Sequence, residues 1–349
     1  MGIVARAGLL AGLVLSLAAC GQPVAPVTVS TVSPPALVAS PTGTIASSAA
    51  STAQASASST SFPSGTATQT AASPAVTAAP GGTAARFDGK RAFEDLRTQM
   101  RWVPRDTGTE GWKQTGDYII AQLRAAGWPV EEQHFTVKGI VARNIIARRG
   151  HGPSIIIGAH YDSRRRADQD PDPSKRQQPV PAANDGGSGV AVLLELARVL
   201  QPELLNHEIS LAFFDAEDDG ELDGWNWGEG SRYMAEHLTV RPVAVVVLDM
   251  IGDADLRIPY EQNSTPSLRE SIWSTAAALG YKQFVPQLGY AMTDDHTAFL
   301  EKGYPAVDII DFDYPPWHTT SDTLDKVSAE SLAAVGTTIE VWLTSGKAP

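Results

Sequence analysis

A short apolar segment that ends abruptly in carboxylates constrains this chain most: residues 209–218 read Ile-Ser-Leu-Ala-Phe-Phe-Asp-Ala-Glu-Asp. A run of this length, rich in β-branched and aromatic residues, is typical of an interior strand. Acids at the carboxyl end of such a strand occupy the place where open α/β sheets carry their active sites. We therefore expect the strand to be scaffold, and Glu217 and Asp218 to carry the chemistry.

Strand and helix patterns alternate along the rest of the domain. Further strands are predicted at residues 130–137, 142–147, 154–159, 243–248 and 306–310. Helical spacing of apolar residues predicts helices at residues 88–100, 116–126, 190–200, 231–237, 267–279 and 327–343, and a short helix that begins near residue 294. This alternation favours an α/β fold with a mostly parallel central sheet covered by helices on both faces.

The amino terminus has the layout of a secretory signal at residues 1–20: Arg6, then an apolar run at 8–17, then small residues before Cys20. The apolar run is too short for a membrane span. Its Leu-Ala-Ala-Cys ending resembles the bacterial lipobox, which implies cleavage before Cys20 and lipidation of its thiol. An ordinary signal peptide with an incidental cysteine is the alternative. We expect a lipoprotein of the cell envelope, outside the cytoplasm, whose membrane contact is the lipid on Cys20.

A compositional change divides the remainder of the chain. Residues 21–85 consist almost wholly of Ser, Thr, Ala, Pro, Val and Gly and include no charged residue. Such a tract has too little large apolar surface to offset the entropy lost on ordering, so we expect a disordered linker. Residues 86–349 fit one catalytic α/β domain. The formal net charge of −12 argues against nucleic acid as a partner.

Polar residues recur where the predicted strands end or the predicted helices begin. They are His160, Asp185, Glu217, Asp218, Asp249 and His318. Because such positions meet at one edge of a parallel sheet, one crevice can gather all six. Cys20 is the only cysteine, so a metal in the domain must be bound by His, Asp or Glu. This ligand set suits a catalytic zinc that keeps a position open for substrate or water.

Two neighbouring features are expected to have less direct roles. His296 follows two aspartates at the start of a predicted helix, which favours hydrogen bonding around a metal site over direct metal binding. The loop at residues 164–181 is too long for a simple connection and is expected to form a rim of the site. Its basic run at residues 164–166 is interpreted as a solvated loop face; binding of a peptide carboxylate or carbonyl is the alternative.

Five stretches carry a family resemblance. They read Ala-His-Tyr-Asp-Ser at 159–163, Asn-Asp-Gly-Gly-Ser-Gly at 184–189, Phe-Phe-Asp-Ala-Glu-Asp at 213–218, Leu-Asp at 248–249 and Trp-His-Thr at 317–319. Together they resemble a zinc metallopeptidase family that contains both aminopeptidases and glutaminyl cyclases. The resemblance covers nearly all of residues 86–343. It implies a three-layer α/β sandwich with a mostly parallel, mixed central sheet flanked by helices.

Several details are similar to bacterial-type glutaminyl cyclases within that family. They are the loop at residues 166–172, the Ala-Glu-Asp triplet at 216–218, the Asp-Asp-His triplet at 294–296 and the tryptophan directly before His318. The resemblance implies that one zinc ion is bound by Asp185, Asp218 and His318. It implies that Glu217 is the acid/base and that Asp249 and Asp294 form a carboxylate hydrogen-bond network beside it.

The resemblance also implies how the substrate side chain is enclosed. Trp317 would line its pocket, and Trp225 or Trp227 would supply a second aromatic wall. Two positions depart from the animal enzymes: Asp218 stands where they carry Glu, and Asp308 where they carry His. Asp in place of Glu keeps the charge but shortens the side chain by one methylene group.

The implied reaction is cyclisation of an amino-terminal glutamine to pyroglutamate. Zinc would polarise the γ-carbonyl while the α-amine attacks it, and Glu217 would carry a proton to the leaving ammonia. The expected partners are the amino termini of peptides or proteins, and the domain is expected to be a monomer.

Two alternatives accompany this hypothesis. The first is an aminopeptidase with two zinc ions, in which His160 and Asp249 bind the second metal, Asp185 bridges, and Glu217 activates a water molecule. Trp317 and the bacterial-type loop favour cyclisation. The second alternative is a peptide-binding lipoprotein without catalytic activity, which is disfavoured because every site position holds a chemically competent residue.

Overall fold

The structure is a computed structural model, and it describes residues 87–349. The predicted signal segment with Cys20 and the predicted linker at residues 21–85 lie outside these residues, so both stay predictions. Within the described residues, no helix has both the length and the hydrophobicity needed to cross a membrane.

Among residues 87–349, eight strands form two sheets. The strands are β1 (Val130–Val137), β2 (Ile140–Gly150), β3 (Ser154–His160), β4 (Glu208–Phe214), β5 (Ala244–Asp249), β6 (Ile258–Tyr260), β7 (Phe284–Leu288) and β8 (Ala306–Ile310). The central sheet has the order β1-β2-β4-β3-β5-β8. Strands β4, β3, β5 and β8 pair in parallel, whereas β1 and β2 are antiparallel additions at one edge. The predicted mixed, mostly parallel sheet is therefore confirmed.

Helices cover both faces of this sheet. They are α1 (Gly89–Gln99), α2 (Glu110–Ala125), α3 (Gly187–Val199), α4 (Glu229–His237), α5 (Pro266–Leu279), α6 (Asp295–Glu301) and α7 (Ala329–Thr344). The larger core packs α1, α2, α3, α5 and α7 against one face, and the smaller core packs α4 and α6 against the other. The three-layer sandwich that the family resemblance implied is thus present.

The position of strand β4 in the centre of the sheet explains why residues 211–214 are all apolar. Ile209, Leu211 and Phe213 point into the larger core, while Ala212 and Phe214 point into the smaller one. A strand buried on both faces needs apolar side chains at successive positions, because neighbouring side chains point to opposite faces. The ring of Phe214 also needs Gly158 on β3, since a Cβ there would lie 2.3 Å from its Cε2.

One helix boundary and one sheet differ from expectation. Helix α2 begins at Glu110 rather than near residue 116, because the Thr109 hydroxyl accepts a hydrogen bond from the backbone N–H of Trp112 and caps the helix there. The small parallel sheet of β6 and β7 was not predicted. Pro259 and Pro286 interrupt both strands, which are too short to show a period of two.

Helix α3 supplies a test of the core. Leu193 is fully buried beneath the sheet, whereas Leu204 lies in a surface turn and is 77% exposed. We expect Leu193→Ala to lower the free energy of unfolding by about 2–5 kcal/mol, because it removes buried methyl groups and leaves a cavity. Leu204→Ala, the matched control, should change it by less than about 0.5 kcal/mol. Urea unfolding followed by circular dichroism measures both; equal effects would contradict the packing described.

Candidate active site

The six predicted polar residues converge at the carboxyl edge of the central sheet. Strands β3, β4 and β5 end at or just before four of them, α3 begins just after another, and the last follows β8 through a loop. All six are buried. They are His160, Asp185, Glu217, Asp218, Asp249 and His318.

The carboxylate of Asp185 lies between two histidines. Its Oδ1 is 3.1 Å from Nε2 of His160, and its Oδ2 is 3.6 Å from Nε2 of His318. Asp249 Oδ1 is 3.2 Å from the first imidazole, and Asp218 Oδ1 is 2.9 Å from the second. The side chains thus form two groups of three possible metal ligands that share Asp185.

The group of Asp185, Asp218 and His318 fits a zinc ion by its chemistry. Asp218 is buried, yet no residue among 87–349 donates a hydrogen bond to either of its carboxylate oxygens. Burial lowers the pKa of His318 to about 3, so the imidazole is neutral and offers a lone pair. Two carboxylates and a neutral imidazole leave a fourth position open, as in catalytic zinc sites.

Two further carboxylates hold the ligand-bearing loops. Asp162 accepts hydrogen bonds from the backbone N–H groups of Glu217 and Asp218, at 3.2 and 3.1 Å, and lies 3.5 Å from Nδ1 of His160. Asp322 accepts from the backbone N–H groups of residues 184 and 185, at 2.9 and 3.2 Å. Such supporting acids orient metal ligands and fix histidine tautomers. Asp162 lies within a recognised motif, whereas nothing in the sequence singled out Asp322.

Seven non-glycine residues among 87–349 have a left-handed backbone, and three of them lie at or beside functional side chains. Ala216, Met250 and His318 have φ values of 59°, 46° and 54°, in the left-handed region. They lie directly before Glu217, directly after Asp249 and at a possible ligand itself. Such conformations cost roughly 1–3 kcal/mol each and persist only where the surroundings determine them. Their positions support a functional role for this edge of the sheet.

Glu217 lies in an acidic environment that favours its protonated form. Burial raises the pKa of Glu217 well above its usual value, and nearby Asp294 raises it further. Asp294 caps helix α6 by accepting a hydrogen bond from the backbone N–H of residue 295. Burial, together with the nearby charge of Asp185, also raises the pKa of Asp249, to about 7. A carboxyl group with a raised pKa in a cleft is suited to general acid/base work near neutral pH.

His296 and Asp308 extend this acidic region into the interior. His296 is fully buried, with Nε2 3.3 Å from a carboxylate oxygen of Glu261 and Nδ1 3.6 Å from Asp308 Oδ2. His296, Asp294 and Asp308 together form a third group of possible metal ligands among residues 87–349. His296 lies outside the two groups that share Asp185, but neither of its ring nitrogens has a hydrogen-bond partner among residues 87–349. Its expected hydrogen bonding around the metal site therefore stays a prediction.

Two tryptophan rings lie next to the imidazole of His318. The Trp317 ring is stacked on the imidazole at a centroid distance of 3.8 Å, and the Trp227 ring lies 5.8 Å from it with the planes 15° apart. Trp227 packs on Gly220, where a Cβ would lie 2.0 Å from Cδ2 of the indole. Trp225, the other candidate for the second wall, is buried in a separate cluster with Phe135 and does not line the cavity.

The basic run at residues 164–166 is not a solvated face, because Arg164 is only 3% exposed. Its guanidinium forms two hydrogen bonds to Asp168, donates to the carbonyl oxygen of Asp218 at 2.6 Å, and lies 5.2 Å from the centre of the Trp227 ring. Asp168 Oδ1 is in turn 4.0 Å from Nδ1 of His318. Arg164 therefore connects the loop to both a possible ligand and an aromatic wall.

Trp227 and Trp317 line a cavity of about 260 Å³ next to His318. Its floor is acidic and includes Asp185, Glu217, Asp218, Asp249 and Asp294, while Trp227, Phe312 and Trp317 form much of its sides. The arrangement can hold a small polar group against a metal site beside a carboxyl group that exchanges protons.

Known proteins share this architecture. The crystal structure of Porphyromonas gingivalis glutaminyl cyclase is 34% identical and aligns with a TM-score of 0.71 over 74% of this chain and 98% of that one. A Zn-dependent exopeptidase from Parabacteroides distasonis is 32% identical, with a TM-score of 0.69 over 74% and 98% of the two chains. Glutaminyl-peptide cyclotransferase of Drosophila melanogaster is 26% identical over 279 residues, which are 67% of this chain and 75% of that protein.

The family model of peptidase family M28 matches residues 144–343. That range contains every residue of the two possible ligand groups, together with Glu217 and both aromatic walls. Zinc is the metal named for the similar exopeptidase, and the residues here suit it. This chain belongs to peptidase family M28, and the proteins it resembles include both glutaminyl cyclases and zinc exopeptidases.

Proposed function

We propose that the domain is a glutaminyl-peptide cyclotransferase, which converts the amino-terminal glutamine of peptides to pyroglutamate and releases ammonia. One observation carries the proposal: Trp317 and Trp227 flank His318 of a three-ligand group, and Glu217 lines the same cavity. Two aromatic walls and an acidic floor suit a short polar side chain. The 34% identity to P. gingivalis glutaminyl cyclase supports the same activity.

In this proposal Asp185, Asp218 and His318 hold one zinc ion. When bound, zinc polarises the γ-carbonyl of the substrate and stabilises the negative charge that develops on its oxygen. Asp162 holds the backbone of Asp218 in place, and Arg164 holds its carbonyl oxygen. The ligand group is therefore positioned by contacts within the protein, which is what efficient charge stabilisation requires.

Glu217 carries the proton transfer. The α-amine nitrogen of the substrate forms a bond to the γ-carbon, and the bond from that carbon to the amide nitrogen breaks. Glu217 accepts the proton that the amine loses and donates a proton to the departing nitrogen, which leaves as ammonia. Protons are conserved without hydrolytic water. Asp294 raises the proton affinity of Glu217 from the same cavity, which Asp249 also lines.

Replacement of the proposed base tests this role. We expect Glu217→Gln to lower kcat for ammonia release from a Gln-initiated peptide by at least about 10²-fold, since a positioned general base contributes on the order of 10²–10⁴-fold. Zinc content should stay at the wild-type level because Glu217 is not a ligand in this proposal. Glu236→Gln, on the outer surface of α4, is the matched control. Near-normal turnover of Glu217→Gln in a coupled ammonia assay would remove Glu217 from the mechanism.

The second candidate function is that of an aminopeptidase with two zinc ions. A specific observation favours it: His160, Asp249 and Asp185 form a second group of possible ligands. One carboxylate oxygen of Asp185 is near His160 of this group, and the other is near His318 of the first group. In that case Glu217 would take a proton from a water molecule that attacks the first peptide bond. The aromatic walls beside His318 favour cyclisation over this alternative.

Zinc stoichiometry separates the two candidates. We expect one zinc per purified chain by mass spectrometry, and ammonia without free amino acids as the product from a Gln-initiated peptide. His160→Asn should retain that zinc, whereas Asp218→Asn should lose it. Of these two residues, Asp218 is a ligand in the one-zinc proposal and His160 is not. Two zinc ions in the wild type, one in His160→Asn, and release of free amino acids would establish the aminopeptidase instead.

Lipid anchoring at Cys20 is also a proposal, and it rests on the Leu-Ala-Ala-Cys ending of the predicted signal. We expect Cys20→Ser to abolish incorporation of labelled palmitate and to move the protein from the membrane fraction to the soluble envelope fraction. Ammonia release per molecule should be retained, since the catalytic domain lies beyond a long linker sequence. Continued labelling of Cys20→Ser would show that the acyl group is attached elsewhere.

A further inference from the structure

Arg105 is more deeply buried than any other arginine or lysine in the described part of the chain, with 0% of its surface exposed. Its guanidinium donates hydrogen bonds to three backbone carbonyl oxygens, those of Tyr161, Pro181 and Ala182, at 3.4, 3.2 and 2.8 Å. None of its acceptors in that part of the chain is a carboxylate. Because a buried cation is costly without compensation, a guanidinium held by carbonyl groups alone requires an explanation.

The three carbonyl groups belong to two segments that carry possible metal ligands. Tyr161 directly follows His160 at the end of β3. Residues 181–182 lead into the turn that carries Asp185, just before α3 begins. One side chain therefore joins the segment of His160 to the turn of Asp185, although neither segment is close to Arg105 in the sequence.

The turn that carries Asp185 is held by two groups of opposite charge. Its N–H groups donate to Asp322, at 2.9 and 3.2 Å, while the carbonyl groups that precede it accept from Arg105. Burial lowers the pKa of Arg105 from its usual value, and the nearby charge of Asp322 opposes this shift. The guanidinium therefore remains charged at neutral pH. The anion and the cation stabilise each other across the turn that both of them hold.

The backbone next to this turn is strained and closely packed. Ala182 has a φ of 62°, and a non-glycine residue keeps this left-handed conformation only where its surroundings determine it. A Cβ at Gly187, in the first turn of α3, would lie 2.9 Å from the carbonyl oxygen of Ala182 and 3.5 Å from Nη2 of Arg105. The guanidinium thus packs against both the strained residue and the start of α3, with Asp185 between them in the sequence.

We propose that Arg105 is a positioning residue of the zinc site, whose planar guanidinium holds the segment after β3 and the turn of Asp185 at the separation that zinc binding needs. A guanidinium presents five N–H donors in a fixed plane, whereas the ammonium group of lysine is a compact charge on a flexible chain. The planar set of donors, rather than the positive charge alone, is the property that the site uses. This inference rests on the metal site of the proposed function, and it applies to both candidate activities because Asp185 is a ligand in each.

The zinc affinity of Arg105→Lys tests this role. The substitution keeps the positive charge but removes the planar set of donors, so we expect the dissociation constant for zinc to rise at least about tenfold. Residues that orient metal ligands typically contribute about 10–100-fold to metal affinity. Competition with a chromophoric chelator measures the constant on the purified full-length chain, without an assay of turnover.

Arg198→Lys is the matched control. Arg198 forms an ion pair with Asp95 and lies near the far end of α3, about 16 Å along the helix from Gly187. Its substitution also exchanges a guanidinium for an ammonium group, but at a distance from the zinc ligands. We expect its dissociation constant for zinc to stay within about threefold of the wild-type value.

Two results would overturn the inference. A wild-type zinc dissociation constant in Arg105→Lys would show that the planar donors are not needed for zinc binding. An equal loss of zinc affinity in Arg105→Lys and Arg198→Lys would show a general effect of destabilisation. Circular dichroism and thermal unfolding establish that each variant is folded. If Arg105→Lys does not fold, Arg105→Gln and Arg198→Gln are compared by the same criterion.

The outcome can be separated from that of the proposed function. If the wild type releases amino acids and no ammonia, the cyclase proposal fails, but the zinc dissociation constants still decide the role of Arg105. A loss of zinc affinity in Arg105→Lys that Arg198→Lys does not show supports the inference under either activity. A wild-type chain that binds no zinc would contradict the metal site and this inference with it.

Discussion

The carboxylate of Asp185, placed between His160 and His318, is the interaction on which the site depends. It is buried together with Asp218 and Asp249, so charges of one sign are crowded where water cannot screen them. Buried charges are costly unless they are paired, hydrogen-bonded or bound to a metal. His160, which lies 3.1 Å from Asp185 and 3.2 Å from Asp249, and the proposed metal meet this requirement. Backbone N–H groups meet it for the neighbouring buried carboxylates of Asp162 and Asp322.

Positions at the strand ends were predictable because they follow from chain topology. Once β3, β4, β5 and β8 run in parallel, the residues after them must meet at one edge, whatever their identity. The unpredicted features depend on contacts distant in sequence. Arg164 is buried because the carbonyl of Asp218, 54 positions away, accepts its hydrogen bond. Asp322 supports a loop 138 positions away. Neither contact produces a local sequence pattern from which it could be predicted.

The small sheet of β6 and β7 was missed for a different reason. Its strands contain prolines and only three and five residues, so their composition does not differ from that of a loop. Its contribution is positional: it fixes the backbone at Gly289 and Tyr290, just before Met292 of the cavity wall. The parallel core builds the reaction centre, whereas this appended element shapes the approach to it. The two tasks are assigned to separate parts of the fold.

The hydrogen bonds to Asp162 join the proposed ligand to the proposed base. One carboxylate holds the backbone N–H groups of Glu217 and Asp218, so neither the peptide unit before Glu217 nor the one before Asp218 can turn without breaking its hydrogen bond. The separation of metal and base is therefore a fixed dimension of the scaffold. If the spacing between Glu217 and Asp218 is kept, a change from cyclisation to hydrolysis requires changes in the residues that surround them. Evolutionary change in activity is thereby directed to the aromatic walls and the loops that carry them.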